Sequence, residues 1–338
     1  MTINDIAKEA GVSTATVSRV INKLSVSAEK RQRVEEAIQK LDYTPNVMAR
    51  GLMNKSTGAV GVLTTSMSNP YSMEITEAVE RWFRERGTMQ FLGCTEGDQA
   101  QERRYLNDLV SRQVDGIIVI DPANENVESG FFRTAAGRIP LVLIHSIPTL
   151  TDISSVVIDQ PLGMVRVMDH LFRLGHRDIA FLRGRYGFSY DIKERAWRES
   201  LVQAGATPSE ERLVVVEDGN TEQAIAQVRD ELVKRFQSGT VPTALFACND
   251  LMAMGALEAA SQVGLRVPDD LSVVGHDNTI LALHGKLTSV DLKMRSLGLA
   301  AADLLAHLIE GTDTEPRRVM FVPDLVLRDT TAAPRSTP

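Results

Sequence analysis

The chain has 338 residues, too many for one typical domain and enough for two or three. Its 43% hydrophobic and 24% charged residues make an ordinary globular composition, able to bury real cores. It has no run of 18 apolar residues, and Asp5, Lys8 and Glu9 interrupt any apolar N-terminal segment. A membrane span and a secretion signal are therefore not expected, and a cytoplasmic location is. The net charge of −7 is unevenly spread: residues 1–58 carry nine Lys/Arg against six Asp/Glu, a net +3, leaving −10 for the remainder. A mildly basic end on an acidic body concentrates any attraction to phosphate at one end. A charge of +3 is weak alone, so tight binding would need two such ends acting together, as a dimer supplies. Cys94 and Cys248 lie in separate apolar runs without a C-x-x-C spacing, which predicts two buried free thiols.

The first 22 residues read as two short helices joined by a tight turn. Thr2 is an N-cap candidate with Asp5 three residues on, in the capping-box relation. Ile3, Ile6, Ala7 and Ala10 follow at helical spacing and Gly11 ends the helix. Ser13 is the next N-cap candidate. On the second helix Val17, Val20 and Ile21 fall on one side. Thr14, Ala15, Ser18, Arg19 and Asn22 fall on the other. Such a pair suits either a helix lying in a DNA major groove or an ordinary amphipathic pair on a protein surface. A third helix fits from about Ala28 to Leu41, with Val34, Ala37, Ile38 and Leu41 as its apolar stripe and Pro45 beyond it. A short fourth helix fits residues 46–54, and Lys55 to Gly58 reads as a link.

From Ala59 the pattern changes to strands alternating with helices. Apolar runs occur at Val60–Leu63, Met89–Cys94, Gly116–Ile120 and Leu141–His145. A second series occurs at Ile179–Leu182, Leu213–Val216, Ala244–Cys248 and Ser272–Gly275. Amphipathic stretches such as Glu74–Arg86, Glu102–Arg112, Met164–Leu174 and Glu222–Phe236 separate them. This alternation predicts parallel sheets covered on both faces, in two doubly wound lobes with ligand at the strand C-termini.

The string Val12 to Asn22, V-S-T-A-T-V-S-R-V-I-N, closely resembles the recognition segment of the LacI/GalR family of bacterial transcription regulators. Leu41-Asp42-Tyr43-Thr44-Pro45-Asn46 resembles the family's L-x-Y-x-P-N, and Ala49-Arg50-Gly51-Leu52 its A-R-x-L hinge. The resemblance continues through the body and so covers essentially the whole chain. It implies an N-terminal all-α helix-turn-helix domain with a hinge helix over residues 1–58. It also implies an α/β, two-lobed, periplasmic-binding-protein-like body over 59–338, made of doubly wound parallel sheets. In that pattern the chain crosses between lobes near residues 160, 290 and 321. Lobe 1 then takes about 59–159 and 292–320, and lobe 2 about 160–291 and 321–332. Arg328 to Thr331 resembles the family's final strand, and the short tail after it holds no tetramerising helix.

The resemblance also implies function: a homodimeric repressor that reads a pseudopalindromic DNA operator under control of a small-molecule effector. Thr14, Ala15, Thr16, Ser18, Arg19 and Asn22 would contact DNA from the recognition helix. Asn46, Arg50 and Leu52 would contact it from the hinge, with Leu52 wedged between base steps. A buried core leucine is the plainer account of Leu52. No cofactor or metal is implied. No H-E-x-x-H, G-x-S-x-G, Walker A or G-x-G-x-x-G motif occurs, which argues against an enzyme. His170 and His176, six apart, read as a solvent-facing pair rather than metal ligands.

For the effector, Asn69-Pro70-Tyr71-Ser72 resembles the family loop whose aromatic flanks the ligand, although a plain turn with a packed Tyr71 would read the same way. Arg195 is matched to the family's ligand-forking arginine, with surface salt bridging as the alternative. The chain has Arg195-Ala196-Trp197-Arg198 where the family writes R-L-x-G. Asn249 and Asp277, at strand ends, would bond ring hydroxyls or else cap the following helices. Asp121, His145 and Ser146 end two first-lobe strands and are further lining candidates. Where purine-binding members place aromatics the chain has Ser72, Ser146 and Gly219, which favours a sugar or sugar-like acid over a purine. A sugar-binding protein of a transport system would use the same body. The head and the absence of a signal segment argue against it.

Overall fold

The computed structural model describes residues 1–21, 24–43, 57–147, 150–185, 187–217, 219–313 and 315–335. Its contacts divide the chain into two units, Met1–Gly58 and Ala59–Pro338. In the first unit α1 (Ile3–Ala10), α2 (Thr14–Ile21) and α3 (Ala28–Lys40) surround one small core. Thr2 Oγ1 accepts from the Asp5 N–H and the Asp5 carboxylate accepts from the Thr2 N–H at 2.8 Å, a complete capping box. Gly11 ends α1 at φ 61°, in the left-handed region. Ser13 Oγ accepts from the Thr16 N–H at 3.2 Å and starts α2. Ile6, Val17 and Val34, one from each helix, are wholly buried together, and Lys40 pairs with Glu9 at 2.6 Å across α3 and α1. The expected fourth helix and the start of the link lie outside the described residues, as do Asn22, Asn46, Arg50 and Leu52.

The second unit contains two six-stranded sheets. The first is built from β1 (Ala59–Thr64), β2 (Met89–Cys94), β3 (Gly116–Ile120), β4 (Leu141–His145), β5 (Ser155–Ile158) and β11 (Arg318–Phe321), in the order β11-β5-β4-β3-β1-β2. All its pairings are parallel. The second is built from β6 (Ile179–Gly184), β7 (Leu213–Val216), β8 (Ala244–Ala247), β9 (Ser272–Asp277), β10 (Thr288–Asp291) and β12 (Asp324–Val326), in the order β12-β10-β9-β8-β6-β7. Here β12 runs antiparallel to β10, so this sheet is mixed at one edge. Strands β1, β3, β4 and β5 are buried along their whole length, as expected of parallel strands covered on both faces. The chain passes between sheets after β5, after β10 and after β11.

The covering helices are α4 (Pro70–Arg84), α5 (Gln99–Ser111), α6 (Asn124–Glu128), α7 (Phe131–Ala136), α8 (Gln160–Leu174), α9 (Phe188–Gln203), α10 (Gln223–Gln237), α11 (Asp250–Gln262), α12 (Ile280–His284) and α13 (Met294–Glu310). Gly298 lets α13 lie directly on α4: a Cβ there would stand 2.5 Å from the Ile75 carbonyl oxygen.

Three sequence expectations change. Residues 328–331 form a turn and not a strand; the last strand is β12. The Thr330 hydroxyl donates to the Val273 carbonyl and accepts from the Thr288 N–H, which docks the tail on the second sheet without a ladder. His170 and His176 are not a solvent-facing pair. His176 is buried between Thr243 Oγ1 at 3.0 Å and the Ala332 carbonyl at 2.8 Å, and His170 Nε2 lies 3.0 Å from Thr331 Oγ1, so both hold the tail. Cys248 is buried, but Cys94, on the edge strand β2, is half-buried; both are free.

Candidate functional site

Two groups of residues stand out, one in each unit. In the first, the core claims Val17 and Val20 from α2 and leaves Thr14, Ala15 and Arg19 exposed, with Thr16 and Ser18 half-buried. The exposed face thus carries short side chains near the helix start and one long cation a turn later. That allows close approach of the helix to a groove floor and one forked donor to reach a base edge.

In the second unit a cleft of about 1000 Å³ opens between the C-terminal ends of the two sheets. In the first sheet the winding direction reverses between β1 and β3; in the second it reverses between β6 and β8. Doubly wound sheets bind ligands at such switch points, because the loops on either side run apart and leave a crevice. Both switch points border this cleft, through Ser66 and Asp121 on one side and Arg185 and Asn249 on the other.

Tyr71, Asp121, His145, Asn249 and Asp277 line the cleft. Tyr71 starts α4, where the Asn69 side chain caps the helix by accepting from its N–H at 3.0 Å. Burial raises the Tyr71 phenol, with the charges of Asp121 and Asp277 adding to the effect. Asp121 and Asp277 follow and end their strands at φ 50° and 105°, left-handed conformations unusual for residues other than glycine. Burial pushes the Asp121 carboxyl up to about 6 against the pull of Lys193. Burial also raises Asp277; Lys193 opposes this, and Asp250 and Asp121 reinforce it. His145 accepts from the Ile147 N–H through Nδ1 at 2.8 Å, and burial first, then Arg318, lowers it to about 4. The ring is therefore neutral at pH 7 with its proton on Nε2, and Nε2 has no partner among the described residues.

The sequence reading is corrected at two positions, Arg195 and Ser72. Arg195 does not line the cleft. It is exposed on the far side of α9, beside Asp191 and Glu199. The cation that reaches the cleft from this helix is Lys193, 3% exposed. Two residues along a helix is about 200° of rotation, so the two side chains face opposite ways. Lys193 Nζ donates to the Cys248 carbonyl at 2.9 Å and lies 3.4 Å from His276 Nδ1, which in turn lies 2.9 Å from Asp277 Oδ1. Ser72 is wholly enclosed behind Tyr71 and does not line the cleft. Asn249 lines the cleft as expected and also makes the helix cap given as its alternative: Oδ1 accepts from the Met252 N–H at 2.9 Å and Nδ2 donates to the Gly219 carbonyl at 2.6 Å. Gln160, which begins α8, also lines the cleft and was not anticipated. Lys193 was legible in principle, since Tyr190, Lys193, Trp197 and Ser200 form one helical stripe that is otherwise core.

Among the described residues no group of three His, Cys, Asp or Glu side chains is placed to hold a metal ion. No described helix is long and apolar enough to cross a membrane.

Residues 2–46 match the family described as bacterial regulatory proteins, lacI family, and residues 168–331 match a periplasmic binding protein-like domain. The chain is similar to the HTH-type transcriptional regulator DegA of Bacillus subtilis, with 33% identity over 98% of both chains. It is 33% identical to the HTH-type transcriptional repressor PurR of Aliivibrio fischeri, over 97% of both. Among solved structures it is similar to a Lac repressor dimer bound to operator and the anti-inducer ONPF. There the TM-score is 0.86 at 29% identity, covering 98% of this chain and 99% of that one.

Proposed function

The chain belongs to the LacI family of bacterial regulatory proteins, and on that premise we propose a dimeric repressor that reads a pseudopalindromic operator and answers to a polyhydroxylated effector. It is a DNA-binding transcriptional regulator with an effector-binding body, not an enzyme. The observation that carries the DNA half is the division of α2 into a buried valine face and an exposed face of Thr14, Ala15 and Arg19. Arg19 forks onto a guanine edge, the pairing its planar donors fit best. Asn22, Asn46, Arg50 and Leu52 are assigned to DNA on the family resemblance alone. The domain limits 1–58 and 59–338, with the lobe limits given above, are part of the same reading.

A head of net charge +3 binds phosphate weakly, and two heads on one operator multiply that affinity through effective concentration. A two-fold interface on the body supplies the second head. The edge strand β2 supports it: Met89, Phe91 and Leu92 are 64%, 40% and 40% exposed, apolar surface on an unpaired edge.

The effector sits between Tyr71, Asp121 and His145 from one sheet and Lys193 and Asp277 from the other. A ligand touching both sets favours one separation of the lobes over another, and that difference in affinity is what shifts the operator-binding state. The polar lining favours a sugar-like ligand. The test is a gel shift with genomic fragments, run with and without a panel of sugars. Specific retardation relieved or strengthened by one sugar is expected. Retardation of every fragment alike, unaffected by any of them, would sink the reading.

A further inference from the structure

We propose that the effector is a polyol carrying a protonated amine, an amino sugar or aminocyclitol, whose ammonium group sits between Asp121 and Asp277. This rests on the reading of the cleft as the effector site and narrows it to a charge class. The wall of the cleft is acidic: among the described residues seven Asp/Glu side chains line it, against Arg185 and Lys193. Arg185 is paired with Glu217 at 2.5 Å near the mouth. At the centre one lysine faces two carboxyl groups whose proton affinity is raised, and a cation placed between them would favour both in the charged form.

The hydrogen bonds point the same way. The Asp121 carboxylate accepts none from the described residues. Asp277 has only the ring nitrogen of His276. Lys193 Nζ donates to the Cys248 carbonyl, while the His276 ring nitrogen 3.4 Å away faces Asp277. Gln160, 3% exposed, lines the cleft, and its enclosed Oε1 has no partner among the described residues. His145, 1% exposed, leaves Nε2 without one, and as a neutral ring it offers a single donor and no charge. Asp121 and Asp277 thus offer the cleft charged acceptors, which a ligand bearing N–H and O–H groups would meet. Asp121 is half-buried and without a hydrogen-bond partner among the described residues, and Asp277 is buried, so a cation between them would relieve the cost of their partial desolvation. An ammonium group removes that cost, a neutral sugar removes part of it, and a sugar acid or sugar phosphate adds repulsion. The left-handed backbone at Asp121 and Asp277 holds both carboxylates at the strand ends, and asparagine tolerates that conformation, so Asp→Asn changes charge without backbone strain.

The test uses the full chain and matched trios: glucosamine, glucose and glucuronate, then galactosamine, galactose and galacturonate. Affinity is read by calorimetry at pH 7.5, with Asp121→Asn and Asp277→Asn alongside. In at least one trio the amine should bind ten or more times tighter than the neutral sugar, with the acid weakest. In each variant that preference should collapse to threefold or less. Silence of both amines, tightest binding of a neutral or acidic member, or an amine preference that survives both variants would overturn the proposal. If a neutral or acidic member binds and Asp277→Asn weakens it, the cleft remains the effector site and only the charge class falls. If no compound's binding responds to either variant, the effector reading falls with it.

Discussion

In the proposed reading Arg19 faces DNA and Lys193 faces the effector, and each has a single-residue consequence. Arg19→Ala should cost about 1–3 kcal/mol on operator and relax preference at one base pair per half-site. Binding to a set of single-base operator variants measures this, and equal weakening on every variant would show Arg19 to be a phosphate contact only. Lys193→Met should tighten binding of an amine-bearing effector, because it removes the like charge beside Asp121 and Asp277, while Arg195→Ala should leave it unchanged. A change in the Arg195 variant equal to that of Lys193 would contradict the placement of α9. The cleft was partly legible in the sequence: strand ends pointed to Asp121, His145 and Asp277 because doubly wound sheets present such positions to ligands. Motif matching chose the wrong cation, because a family string fixes which residue types occur together but not which helix face each one occupies. Buried Asp250 gives a pH signature. Burial raises its carboxyl to about 6 although it accepts from Ser289 Oγ and from both the N–H and hydroxyl of Thr279. The folded state then holds this proton more tightly than the unfolded state. Stability from this group is highest at low pH and falls as pH rises from the ordinary carboxylate value through about 6. Asp250→Asn removes the titration. Between pH 4.5 and 7.5 the parent should lose about 2 kcal/mol relative to that variant, read from urea midpoints by tryptophan fluorescence. A difference that does not change with pH would mean the carboxylate titrates normally.

At the scale of elements, close packing around small residues fixes which helices pair. Gly298 on α13 meets the Ile75 carbonyl oxygen and Ala78 Cβ of α4, at 2.5 and 2.8 Å from where its own Cβ would stand. Gly298→Ala should therefore push the two helices apart and cost about 1–3 kcal/mol, a fall of several degrees in the melting temperature of the body. A calorimetric scan unchanged from the parent would mean the helix pair gives way without loss. The long buried strands were legible because a parallel strand covered on both faces is an unbroken apolar run, as at Gly116–Ile120 and Leu141–His145. Strands β5, β10, β11 and β12 were not. Each has three or four residues, and Thr288–Asp291 and Asp324–Val326 are polar enough to pass for loops. Their places are set by neighbours in the sheet, which a local window of sequence does not contain. The same holds for residues 328–331, whose β-branched threonines suggest a strand but whose side chains are spent on bonds to Thr288 and Val273.

For the whole molecule, the connection of cleft to operator is the property to test. The chain runs between the two sheets three times, so a change in the angle between lobes must pass through the segments after Ile158, Asp291 and Phe321. Arg166 and Lys293 both pair with Asp324, which starts the strand after the last of these passages, and tie it to α8 and to the passage before α13. In the proposed reading, a change in the angle between lobes would strain these ion pairs as well as the passages themselves. If the ligand is held by Asp121 on one sheet and Asp277 on the other, as proposed, it gains most when the lobes adopt one spacing, and a dimer would carry that spacing to both heads as an energy of about 1–3 kcal/mol. Two results should then appear together. Sedimentation at micromolar concentration should give a dimer, and Asp277→Asn should leave operator affinity without effector close to the parent value while abolishing its change on adding effector. Parallel gel shifts with and without effector measure the second. A monomer that still binds operator tightly would remove the need for two heads. A variant that responds to effector like its parent would show that the ligand bridging the lobes does not use Asp277.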